Sequence, residues 1–229
     1  NNTAVGSRAM LKFMQKYGAD AGSVLGEILL FIFMEQELDA PKIMSKIELD
    51  EYNRGIVSKS DGIHLLSLDR SGQPFHQLVF GASDIVGDLS AAVDRAFDKI
   101  IKIEAHGDDE LRMVESTTQW TIYDPDATQY MVELMRPQKG GTYKPDMAFG
   151  AFLGYTIQLD KPETDSQKYR TAVKDQLIKD IAAVQSHITD LIVQNGLSGY
   201  SFYFYVLPFN DAPNEKVSIV NELLTGGVV

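Results

Sequence analysis

Two carboxylates stand at positions where an acid is costly or conspicuous. Glu27 lies in "VLGEILLFIFM", residues 24–34, a stretch apolar on nearly every side of a helix. Buried there ionised and alone it would cost several kcal/mol, so its charge calls for a lysine, a metal or a raised pKa. The plainer alternative is a half-exposed side chain in the helix's first two turns, favoured by the macrodipole. Asp61, in "SKSDGIH", stands at the mouth of a strand, although Asp-Gly is also an ordinary turn dipeptide. Asp84 precedes "IVGDLSAAVDRAF" and reads either as an N-cap, alongside Ser83 and Asp88, or as a metal ligand. Lys46 and Lys59 lie on neighbouring segments, either solvated or supplying a cation to these acids. His64 and His76 could face each other across a hairpin, as cross-strand neighbours or as a metal pair. His187 reads as a boundary residue.

These residues depend on a particular series of elements. Residues 3–17 put Val5, Met10, Phe13, Met14 and Tyr17 on one helical face, and residues 22–36 form a second helix that should be buried on most sides. Residues 42–49 alternate as a strand. Residues 63–69 and 74–81 flank "RSGQ", a hairpin signal. A helix follows from about residue 84 to 103, with Leu89, Val93, Ala96, Phe97 and Ile100 inward. Residues 105–146 read as an irregular helical insertion, with short helices near 111–117 and 127–135. Then come a strand at 149–159, a long helix at about 165–194, an aromatic strand at 200–209 and a closing helix, "NEKVSIVNELL". A three-strand meander followed by strand–helix–strand predicts a mixed α/β fold, an α+β mixed sheet with helices on both faces.

Composition narrows the function. The 229 residues fit one domain over 1–229, and 44% hydrophobic with 23% charged residues is ordinary globular chemistry. The chain begins "NNTAV" inside what reads as helix, so residues upstream are expected to be missing. Without cysteine there are no disulfides, thiolate metal sites or cysteine nucleophiles. No apolar run is long enough to span a bilayer, so no membrane role is expected. A net charge of −11 argues against binding nucleic acid by bulk electrostatics and assigns any long DNA footprint to a partner. No nucleophile elbow, Walker loop or dinucleotide glycine motif is present, and "GGTYK" is too short to cradle a phosphate. The aromatic strand at 200–205, or the helix at 215–224, is expected to dock a partner protein.

The spacing from Asp61 onward resembles that of PD-(D/E)XK nucleases. In those enzymes an aspartate near the start of one core strand precedes a Glu-x-Lys pair on the next, and a glutamate from the helix before the sheet often joins as a further ligand. Two or three carboxylates on adjacent strand ends supply the oxygen ligands that Mg²⁺, or Mn²⁺, requires, and the lysine positions and helps to deprotonate the attacking water. Here the expected carboxylate falls at Ala82 and the expected lysine at Asp84.

"GSRAMLKFMQKYG", "GEILLFIF", "SKSDGIHLL" and "LVFGASDIVGDLSAAVDRAF", in that order, resemble the nuclease-subunit family of Hachiman anti-phage defence systems, HamA. The resemblance covers residues 6–103 well and continues more loosely through "FGAFLGYTI" and "SFYFYVLPF". It implies a PD-(D/E)XK-like core, Mg²⁺-dependent DNA degradation, a helicase subunit as partner and the bacterial cytoplasm. It carries the acidic roles onto Glu27 and Asp61, and Ala82 and Asp84 depart from the pair. Three explanations stay open. The pair has been mutated; or the ligands have moved, with Glu27, Asp61 and Asp84 holding the metal and Lys46 or Lys59 supplying the cation. In the third, the chain is a catalytically inactive DNA-binding or regulatory subunit.

Overall fold

The computed structural model describes residues 21–45, 49, 57–70, 73–118, 146–159 and 166–225. Along the chain these form α1 (Ala21–Gln36), β1 (Lys42–Ser45), β2 (Gly62–Arg70), β3 (Gln73–Ile85) and α2 (Leu89–Ala105). There follow α3 (Gly107–Thr118), β4 (Asp146–Thr156), α4 (Ser166–Gln194), β5 (Ser201–Phe209) and α5 (Ala212–Thr225). The strands make one sheet in the order β1-β2-β3-β4-β5. β1, β2 and β3 pair antiparallel, whereas β3, β4 and β5 are parallel. This is the mixed sheet that the sequence predicts.

Alternation along the strands sends side chains into two cores. On one side, Ile63, Leu78, Phe80, Ala82, Phe149 and Leu153 pack with Val93, Phe97 and Ile100 of α2. The stripe of α4, including Val173, Leu177, Val184, Ile188 and Leu191, lies outside them. On the other side, Leu66, Val79, Ile85 and Phe152 meet Leu25, Leu30 and Met34 of α1 and Val220 of α5. Central β4 is buried from Ala148 through Tyr155, as its nearly unbroken apolar run requires. Glycine lets α1 approach the sheet: a Cβ at residue 81 would stand 2.7 Å from Leu30 Cδ2 and one at residue 150 would stand 2.7 Å from Met34 Sδ.

Several expectations need correction. The strand expected at 42–49 ends at Ser45, and Leu49 is helical. The helix expected from residue 84 begins at Leu89, because Asp88 caps it by accepting from Ala91 N. Asp84 belongs instead to β3, which runs on to Ile85. Most described residues of α1 are buried or half-buried, with Phe31 and Ile32 left 37% and 43% exposed. β5 lies at an edge of the described sheet, and its residues 201–208 are half-buried. Phe202 and Phe204 stack near Phe97, while Tyr205 stacks on Phe33 at 5.2 Å. The helices expected at 3–17 and 127–135 lie outside the described residues.

Candidate functional site

β3 continues past its neighbour. The last backbone rung between β2 and β3 joins Asp61 N to Gly81 O at 2.9 Å. Beyond it the Asp61 side chain prolongs the ladder. Its Oδ2 accepts from Ser83 N at 2.7 Å and from Ser83 Oγ at 2.8 Å. Lys99 Nζ, arriving from α2, donates to the same Oδ2 at 2.7 Å and to Ser83 O at 2.7 Å. The Asp61 side chain is only 4% exposed, against 32% for Lys99. An ammonium and two further donors meet this enclosed carboxylate and offset the cost of its desolvation. No described residue donates to its second oxygen, Oδ1.

The loop that presents Asp61 is held from behind. Glu110 of α3 is buried, accepting from Ser58 Oγ at 2.7 Å and from Lys59 N at 2.7 Å. Ser60 Oγ donates to Gly62 O at 2.6 Å and accepts from Gly81 N at 3.0 Å. This lattice of hydrogen bonds fixes residues 58–62 against the end of β3.

Glu27 belongs to α1, which packs on the other face of the sheet. The preceding residue, Gly26, lies against Ser83, and a Cβ there would stand 3.1 Å from Ser83 Oγ, the hydroxyl that donates to Asp61. Glu27 is half-buried and its Oε2 is sealed from solvent.

The remaining candidates lie apart from Asp61. Asp84 points to the α2 side, its Oδ2 3.7 Å from Arg95. Ala82, the strand residue expected to be a carboxylate, is fully buried in the apolar core beneath α2. Lys59 is held through its backbone, and Lys46 lies outside the described residues. Among the described residues no three His, Asp or Glu side chains cluster closely enough to hold a metal ion, so Glu27, Asp61 and Asp84 do not assemble as a three-carboxylate set. A Mg²⁺ there would have to be held by one or two carboxylates with water and a phosphate oxygen, and Asp61 Oδ1 is the oxygen that no described donor already occupies.

The histidines do not face each other. His64 pairs with Val79 and His76 with Ser67, on opposite faces of the sheet. His64 Nδ1 bonds Ala40 O at 2.8 Å, and burial lowers its pKa. His76 Nδ1 meets Ser67 Oγ at 3.0 Å. His187 Nε2 reaches Asp94 Oδ1 at 2.6 Å, tying α4 to α2.

Sequence reasoning missed Lys99, Ser83's bonds to Asp61, and Glu110. Lys99 had a readable signal: it follows buried Ala96 by one helical turn and precedes buried Ile103 by another, so it flanks the inward stripe. Glu110 likewise stands one turn before buried Met113 and Val114.

The HamA family model matches residues 2–223 of the chain. Comparison with curated proteins and with solved structures finds no match.

Proposed function

The chain belongs to the HamA family, a component of Hachiman anti-phage defence, and we propose that it is the DNA-cleaving subunit, hydrolysing phosphodiesters with Mg²⁺ or Mn²⁺. The observation that carries this reading is the contact between Asp61 and Lys99 at the carboxyl end of β3. Open α/β sheets bind ligands beyond the carboxyl ends of their parallel strands. In this proposal Asp61 holds the metal through Oδ1, and Glu27 is the second carboxylate. Bound there, the ion would polarise a phosphate oxygen and lower the pKa of a water. Lys99 takes the place expected of residue 84, Lys59 or Lys46: its ammonium orients the attacking oxygen and stabilises charge developing on the phosphate. Ser83 holds Asp61 in the orientation this requires.

The family implies a multi-component system. We propose a helicase subunit as the partner that delivers DNA in the bacterial cytoplasm, since a chain of charge −11 attracts little DNA by itself. Among the described residues no helix is long and apolar enough to cross a membrane.

A second reading, a catalytically inactive DNA-binding or regulatory subunit, is favoured by Ala82 standing where a carboxylate is expected. One experiment separates the two. Plasmid and single-stranded DNA are incubated with Mg²⁺, Mn²⁺ or EDTA, with and without the helicase subunit. Cleavage lost in Lys99→Met and Asp61→Asn supports the nuclease. DNA binding without cleavage under every condition supports the regulatory subunit.

A further inference from the structure

Backbone groups alternate direction along a strand, so the N–H and C=O of Gly81, Ser83 and Ile85 all face the β2 side of β3. Gly81 O is used by Asp61 N, as the last rung of the ladder. Ser83 O and Ile85 O lie beyond the start of β2, so no strand reaches them. Two lysines do. Lys99 Nζ donates to Ser83 O at 2.7 Å, and Lys216 Nζ donates to Ile85 O at 2.9 Å. They come from opposite layers. Lys99 belongs to α2, packed on one face of the sheet, and Lys216 to α5, packed on the other. Where β2 stops and β3 runs on, the sheet therefore has a notch, with an ammonium over each lip and the Asp61 carboxylate at its base.

Capping a neutral carbonyl needs only one of an ammonium's three donors and does nothing to neutralise its charge. Lys99 balances its charge against Asp61, whereas the contact described for Lys216 is with a main-chain oxygen. Lysine serves phosphate recognition as a point charge with rotatable donors. In a chain of net charge −11, a half-buried lysine held at the edge of this notch is where an anion would be met.

We propose that Lys216 binds a backbone phosphate of a nucleic acid strand lying across this notch, next to the phosphate that meets Lys99 and Asp61. The inference rests on the reading of the chain as a DNA-cleaving subunit, and it makes Lys216 a positioning residue for that strand. It sets the strand's path across the sheet edge from α2 to α5.

The test measures binding separately from cleavage. A short fluorescent oligonucleotide is titrated in EDTA from the lowest salt upward, with the full chain, Lys216→Met and Lys216→Gln, and no measurable binding by the parent at the lowest salt overturns the proposal. Glutamine carries an N–H donor but no charge, so it removes the ionic phosphate contact while leaving a donor on the side chain. Both variants should bind about tenfold more weakly at low salt and lower the slope of log affinity against log salt by about one. Lys216→Arg should retain both. Binding and slope unchanged in Lys216→Gln, whatever its melting temperature, would make Lys216 only a strand cap and overturn the proposal. Inorganic phosphate, followed by ³¹P line broadening, distinguishes the source: a Lys216-dependent effect with phosphate but not with the oligonucleotide overturns the nucleic acid assignment. A chain that binds through Lys216 but never cleaves refutes the nuclease reading and leaves this one standing.

Discussion

Lys99 and Asp61 meet at 2.7 Å although they come from different elements, a helix behind the sheet and the mouth of β2. The contact brings a cation to the strand end without any lysine on the strand. It also offsets the desolvation of an almost fully enclosed carboxylate.

Removing that ammonium leaves Asp61 with only the Ser83 donors. Lys99→Met should destabilise the fold by about 1–3 kcal/mol, the cost of depriving a buried group of its partner. Lys99→Arg should recover part of this, since guanidinium also donates to carboxylate but with fork geometry. Urea denaturation of the three proteins is the check. A Lys99→Met chain as stable as the parent would show the pair to be energetically idle.

Glu110 supports the site from a distance. Its two oxygens accept from Ser58 Oγ and Lys59 N, so Glu110→Ala strands two donors and should cost about 2–3 kcal/mol. Glu110→Gln keeps one good acceptor and should fall between. If the loop's task is to present Asp61, amide exchange should quicken at residues 58–62 more than in β4. Uniform quickening across the sheet would instead mean that Glu110 supports the whole fold.

The strands were readable because their alternation and apolar runs are local properties. β2, β3, β4 and β5 all appear within a few residues of the positions their patterns predict, as does the long α4. Asp84 was misread because a carboxylate just before an apolar helix pattern looks like a cap, and only the length of β3 decides between Asp84 and Asp88. The site was less legible. Asp61 could be singled out from its strand and turn context, but Lys99 meets it through a pairing across 38 positions, which no local pattern encodes. The expectation of a lysine two residues beyond a strand carboxylate also drew attention to positions 82 and 84. The cation had a different route to the same place.

His64 makes stability depend on pH. Burial lowers its pKa below the ordinary 6.5, against smaller opposing effects from Ala40 O and Glu35. The unfolded chain therefore takes up a proton before the folded one does. Stability from this group is intact above about pH 6.5 and is lost as pH falls from there through the lowered folded value. His64→Asn keeps an N–H for Ala40 O and has nothing to titrate, so its melting temperature should vary less across that window. Parallel curves for parent and variant would assign the acid sensitivity to other groups.

Position 82 offers the sharpest test of where the chemistry lies. Ala82 stands opposite Asp61 in the continued β2–β3 register, buried beneath the helix that bears Lys99. A glutamate introduced there would be placed beside Asp61 and within the layer that supplies the ammonium. Ala82→Glu should therefore lower stability, because it buries a second acid, and yet raise Mg²⁺-dependent cleavage by completing the carboxylate pair. Adding Asp84→Lys should bring no further gain. Lys99 already supplies a cation, and a lysine at 84 would lose the 3.7 Å contact with Arg95 and set two like charges together. Cleavage of plasmid DNA by the parent, each single variant and the double variant, with folding checked by circular dichroism, decides the matter. Activity in the double variant but not in Ala82→Glu would return the catalytic lysine to the strand and leave Lys99 as a structural partner of Asp61.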